Sequence, residues 1–75
     1  MNTVRRMTAT NEIGKWILDN MKRNKMTCAE VAQILHSTRQ CVANHIAGRV
    51  IPSYVWIVAY CSIFGGDPDE IWQMT

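Results

Sequence analysis

Two helix-start signals stand eleven residues apart in the middle of this chain, and little else fits between them. Thr27-Cys28-Ala29-Glu30 is a capping box: the Thr27 hydroxyl bonds the amide of Glu30, and the Glu30 carboxylate reaches back. The second start is Thr38, or Ser37 with Gln40 as the third helical residue. His36-Ser37 is the exit from the first helix. Gly48 stops the second, because glycine takes the left-handed conformation without steric cost. Val31, Ala32 and Leu35 form the inner face of the first helix, and Val42, His45 and Ile46 that of the second. Ala32 is small enough for a neighbouring helix to cross closely.

The same reading extends outward. Ile13, Trp16, Ile17 and Met21 share one face of a helix ahead of the pair. Pro52-Ser53 opens a further helix, with Ser53 as cap. Its residues Tyr54 to Phe64 are apolar nearly all round, which predicts a central position. Gly65-Gly66 ends it. Asp67-Pro68-Asp69-Glu70 then carries an aspartate cap, a proline in the first turn and acids at the positive dipole end. Ile71 and Trp72 are expected to close the core from this last segment. No segment reads as a β-hairpin. The expectation is therefore an all-α, compact five-helix domain, with helices over about 11–24, 27–36, 38–47, 53–64 and 67–74. With 75 residues, a chain of this kind buries only about 60–65% of its unfolded surface. That leaves little room for both a core and a deep enzyme cleft, and none for a barrel or repeat array. No apolar run approaches the roughly 20 residues of a membrane span, and no apolar signal core follows the polar start. The expected location is cytoplasmic.

Charge divides the chain in two. All eight basic residues lie in 1–49, beside Glu12, Asp19 and Glu30; residues 50–75 hold no Lys or Arg but carry Asp67, Asp69 and Glu70. That split points to a basic face for a polyanion and a neutral or acidic back. The three cysteines, Cys28, Cys41 and Cys61, cannot all pair within one chain and form no C-x-x-C motif. Cys41 and His45 are spaced to chelate a metal on one helix face, but no ligand pair has a standard loop spacing, so the expectation is no metal. No nucleophile–base pair or glycine-rich phosphate loop appears, so catalysis is not expected.

Read together, the run Met26-Thr27-Cys28-Ala29-Glu30-Val31-Ala32-Gln33-Ile34-Leu35, the turn His36-Ser37, Thr38-Arg39-Gln40-Cys41-Val42, then Gly48-Arg49, Pro52-Ser53, Gly65 and Asp69-Glu70-Ile71 resemble the helix-turn-helix family of phage Cro and repressor proteins, the xenobiotic-response-element class. The resemblance runs without gaps from Met26 to about Trp72. It implies a small transcriptional regulator that occupies a palindromic operator in double-stranded DNA as a homodimer and needs no cofactor and no small-molecule substrate. Helix 27–36 would lie across the backbone and helix 38–47 would enter the major groove. Thr38, Arg39, Gln40 and Asn44 occupy the family's base-reading positions. Arginine pairs bidentately with guanine, and glutamine or asparagine with adenine. Thr27 and Arg49 match phosphate-contacting positions. So does Cys28, which stands where the family usually has glutamine. Lys22, Arg23 and Lys25 add charge just before the motif.

Several positions depart from the family. His36 replaces the usual glycine of the turn and is expected at positive φ. His45 replaces an apolar residue and reads as a satisfied core histidine. Val50 and Ile51 replace residues that are often basic. With Pro52, Asp67 and Pro68 they are the expected dimer interface, since the chain has no room for a separate oligomerisation domain. Residues 1–10, with Arg5 and Arg6, read as a flexible basic arm along DNA phosphates or a groove, and 11–75 as the single domain. The competing reading is a small protein-interaction module (an antitoxin, anti-repressor or adaptor) that uses the Val50-Ile51 pair on a protein partner.

Overall fold

A computed structural model describes residues 9–75. The helices follow in the order α1 (Glu12–Arg23), α2 (Cys28–Ile34), α3 (Arg39–Ala47), α4 (Tyr54–Phe64) and α5 (Pro68–Trp72), and the described residues form no strand. The all-α, five-helix expectation holds. The boundaries are tighter than the sequence reading gave, because the cap residues stand outside the helices they start. Asn11 caps α1 by accepting from the Gly14 amide at 2.8 Å. Thr27 caps α2 and Thr38 caps α3, each accepting through its hydroxyl oxygen from an amide three residues on. The capping box is complete, with the Thr27 amide donating to Glu30 at 3.0 Å. Ser53 precedes α4 without a side-chain cap bond.

Three helix exits share one geometry, that of α3 through Gly48 and those of α1 and α2 through residues other than glycine. After α1, the Met26 amide donates to the Met21 carbonyl at 2.9 Å and the Lys25 amide to Lys22 at 3.2 Å. After α2, Ser37 donates to Ala32 at 2.8 Å and His36 to Gln33 at 3.3 Å. This nested pair of bonds satisfies the last carbonyls and requires a left-handed residue between helix and loop. Lys25 and His36 fill that place, both at φ 55°. The expectation for His36 is met; Lys25 carried no such signal in the sequence. The α2 turn also explains why the helix stops at Ile34 rather than at 36. Residues 73 and 74, read as the end of the last helix, instead form tight turns, with Gln73 and Met74 donating to Glu70 and Ile71.

The core is drawn from every helix. Ile13, Ile17, Leu18 and Met21 come from α1, Val31 and Ala32 from α2, Val42 and Ile46 from α3, Ile57, Tyr60 and Cys61 from α4, and Ile71 from α5. Gly14 sets the crossing of α1 on α3: it is buried, and a Cβ there would collide with the Ile46 carbonyl. The close approach depends on glycine having no side chain. At the other end of that contact, Thr10 donates its hydroxyl proton to the Ala47 carbonyl at 2.9 Å. Ala9 packs against the core. Residues 9 and 10, read as the end of a flexible arm, therefore belong to the folded domain.

Two expectations about the C-terminal part are corrected. α4 is not enclosed on all sides. Its inner face is buried, but Val55 is 76% exposed and Val58 and Tyr54 about as exposed as typical surface residues, at 42% and 41%. A domain this small has too little neighbouring chain to cover an eleven-residue apolar helix all round. Trp72 does not close the core either. It is 40% exposed and packs edge-on against Tyr54, ring centres 5.8 Å apart, while Ile71 alone turns inward.

Candidate nucleic-acid interface

α3 has one side anchored and the other bare. Its anchors are Val42, His45 and Ile46, all buried. His45 Nδ1 lies 2.7 Å from the Tyr60 hydroxyl, which ties α3 to α4 through the core. The Trp56 ring meets the imidazole edge-on at 4.9 Å. Burial pushes the His45 pKa below its ordinary value and the Tyr60 hydroxyl well above. Both costs fall on charged forms, so the neutral hydrogen-bonded pair is the stable one. This is the satisfied core histidine that its position implied. No group of three or more potential metal ligands forms among the described residues.

The outward side of α3 begins with Thr38, Arg39 and Gln40, all exposed. The Thr38 oxygen accepts from the Cys41 amide at 3.2 Å. Its hydroxyl proton is left to donate elsewhere. Gln40 and Asn44 are one turn apart, and the Gln40 amide donates to Asn44 Oδ1 at 3.0 Å. Arg49 donates to the same oxygen at 3.3 Å. Asn44, half-buried, is thus the hub of a three-residue network. Its acceptor oxygen is filled twice, so its N–H groups are what it has left to offer. Gln40 keeps its own carbonyl oxygen and one N–H, the pair that a bidentate contact needs. The sequence reading set Gln40 and Asn44 among the base-contacting residues and Arg49 with the phosphate set. It gave no sign that Arg49 folds back onto Asn44, because the bond depends on the path taken after Gly48. There the backbone turns left-handed at φ 80°, and the Arg49 amide donates to the Asn44 carbonyl.

The remaining residues read as phosphate contacts lie on other elements. Thr27 and Cys28 are half-buried at the start of α2, where burial raises the Cys28 thiol pKa. Lys22, Arg23 and Lys25 are exposed at the end of α1, and the first two stand where positive charge offsets the helix dipole. Arg5 and Arg6 lie outside the described residues.

The expected dimer surface divides. Val50 and Ile51 are exposed, at 48% and 54%. Pro52 is buried within its own chain and is removed from the interface set. Asp67 is exposed but occupied as the cap of α5, accepting from the Asp69 amide at 3.0 Å; Pro68 is half-buried as the first residue of that helix. The sequence missed the outer face of α4, which carries Val55, the most exposed large apolar side chain among the described residues. No helix among the described residues is long and apolar enough to cross a membrane. No protein-family model matches the chain, and neither a curated protein nor a solved structure matches it.

Proposed function

We propose that this protein is a sequence-specific DNA-binding regulator, similar in mode to the small Cro-type repressors, that occupies a palindromic operator as a homodimer. The observation that carries the proposal is the two-sided construction of α3. Three buried residues and the His45–Tyr60 bond hold one side rigid. The other presents Thr38, Arg39 and Gln40 at the helix start, backed by the Asn44–Arg49 network. Side chains of these types at a helix N-terminus suit base edges in the major groove. In this reading Arg39 pairs with guanine and Gln40 with adenine. Thr27, Lys22, Arg23 and Lys25 supply backbone contacts, whose strength falls steeply with salt. Two copies would set half-sites about one helical turn, roughly 34 Å, apart. The regulator acts by occupancy of a promoter.

Selection of sites from a random DNA pool, repeated with Arg39→Ala, tests this. The expected result is an enriched palindrome, with preference relaxed at one base pair per half-site in the variant, at a cost of about 1–3 kcal/mol for that contact. Failure of any sequence to enrich at low salt overturns the proposal and leaves the protein-interaction module, favoured by the exposed Val50, Ile51 and Val55, as the reading to pursue.

A further inference from the structure

Gln40 and Asn44 sit one turn apart on the outward side of α3, and Arg49 closes over Asn44 from the chain beyond Gly48. The backbone fixes that approach. The Arg49 and Val50 amides both donate to the Asn44 carbonyl, at 3.0 and 3.4 Å, where the left-handed turn at Gly48 directs the chain back. Arg49 therefore holds Asn44 twice, through its amide and through a guanidinium nitrogen 3.3 Å from Asn44 Oδ1. No carboxylate occurs in the sequence between Glu30 and Asp67, so no acid nearby along the chain competes for the guanidinium.

We propose that Arg49 is a positioning residue for base selection: acting through Asn44, it fixes which way the Gln40 amide faces and so makes Gln40 select adenine over guanine. This rests on the operator-binding reading and adds the device that sets its specificity. Donor and acceptor chemistry carries it. A guanidinium only donates, so the Asn44 atom turned toward it is the oxygen. That oxygen also faces Gln40, at 3.0 Å, so the Gln40 atom turned toward it is the nitrogen. One Gln40 N–H is spent on this bond, and the free edge of the amide keeps the other N–H and the carbonyl oxygen.

Adenine offers the matching pair in the major groove, an N7 acceptor and an N6 donor. Guanine offers two acceptors, N7 and O6, and would set its O6 against the Gln40 oxygen. Without Arg49 the Asn44 amide is free to turn over and give its own N–H groups to the Gln40 oxygen. Gln40 then has both N–H groups to spare, the two donors that guanine accepts. A phosphate contact would behave otherwise, strengthening binding to every sequence alike.

Two measurements on the full chain test the relay, the first without DNA. Side-chain amide NMR relaxation reads how tightly Gln40 is held in the free protein. Its order parameter is expected to fall in Arg49→Ala and to be retained in Arg49→Lys, whose ammonium also only donates. Circular dichroism and thermal midpoint are expected to be unchanged, since Arg49 is exposed. A Gln40 amide equally mobile with and without Arg49 overturns the proposal.

The second measurement repeats selection from random duplex DNA with Arg49→Ala, Arg49→Lys, Asn44→Ala and Gln40→Ala. Gln40→Ala marks the base pair that Gln40 reads. There the preference for adenine over guanine is expected to fall about tenfold in Arg49→Ala and Asn44→Ala, and to persist in Arg49→Lys. Uniform weakening by Arg49→Ala at every position, with the salt slope reduced by about 1, makes Arg49 a phosphate contact and overturns the proposal. Relaxed preference at a second base pair in Asn44→Ala makes Asn44 a reader in its own right and overturns it as well. If the wild type enriches no sequence, the operator reading falls and the selection of adenine with it, while the order parameter alone decides whether Arg49 holds Gln40.

Discussion

α1 and α4 are of nearly equal length, twelve and eleven residues, yet they constrain the fold in opposite ways. α1 mixes apolar and charged residues, so its charged positions mark the face that must stay wet. Ile13, Ile17, Leu18 and Met21 are accordingly buried and Glu12, Lys15, Asp19, Lys22 and Arg23 exposed. α4 has no charged residue to mark either side. Its orientation is decided by what the other helices offer. Ile57, Tyr60 and Cys61 face them, and Val55 and Val58 are left outside. A helix with a polar face declares its own orientation. A helix without one takes its orientation from its neighbours, and its surplus apolar face is left exposed.

The contrast within α4 can be broken most directly by truncation on each side. Ile57→Ala should destabilise the protein by about 3 kcal/mol, the range for deleting a fully buried branched side chain. Val55→Ala should stay within about 0.5 kcal/mol in the monomer. Urea unfolding at low protein concentration separates the two, and comparable losses would show that α4 is enclosed after all. On the α1 side, Gly14→Ala should cost about 2 kcal/mol despite alanine's better helix propensity, because the added methyl meets the Ile46 carbonyl. Thermal unfolding should then shift down by about 10 °C.

The bond between α3 and α4 gives a pH prediction. Burial lowers the His45 pKa in the folded state from its ordinary 6.5. The unfolded chain therefore binds the proton more readily, and stability rises with pH through this window. The contribution is complete above about pH 6.5 and is lost as pH falls toward the folded-state value, by at most about 1.4 kcal/mol per pH unit. Denaturant midpoints between pH 5 and pH 7 should show this slope, and His45→Gln should flatten it. A smaller effect is expected at the two left-handed turns that lack glycine. His36→Gly and Lys25→Gly should each stabilise by about 1 kcal/mol, because both residues sit at φ 55°. An unchanged melting temperature would show that neither turn is strained.

The three residues proposed to read bases were placed by the sequence because a cap, an apolar period and a glycine stop bracket that helix. Thr38, Arg39 and Gln40 fall where those signals put them, on the exposed side. Arg49 was not legible in the same way. Its bond to Asn44 spans a helix end and a left-handed turn, a geometry that no residue spacing encodes. Gly14 carried no signal in the sequence, and only the packed structure shows that α3 approaches the α1 backbone there too closely for a Cβ. Pro52 and Val55 changed places for a similar reason. A proline next to two apolar loop residues looks like surface, and a valine in an all-apolar helix looks like core. The available neighbours decided otherwise.

The sequence by itself determined the number and order of the helices, their capped starts, the left-handed exit at His36 and the inner faces of α1 and α3. These rest on local backbone bonding and on charged residues that refuse burial, both of which are properties of a short stretch of chain. Only the tertiary structure decided which side of α4 is covered, how close α1 comes to α3, and that Gln40, Asn44 and Arg49 act as one network. Those outcomes depend on which surfaces a small domain has left to offer after its other helices have packed. Distant parts of the chain settle that together.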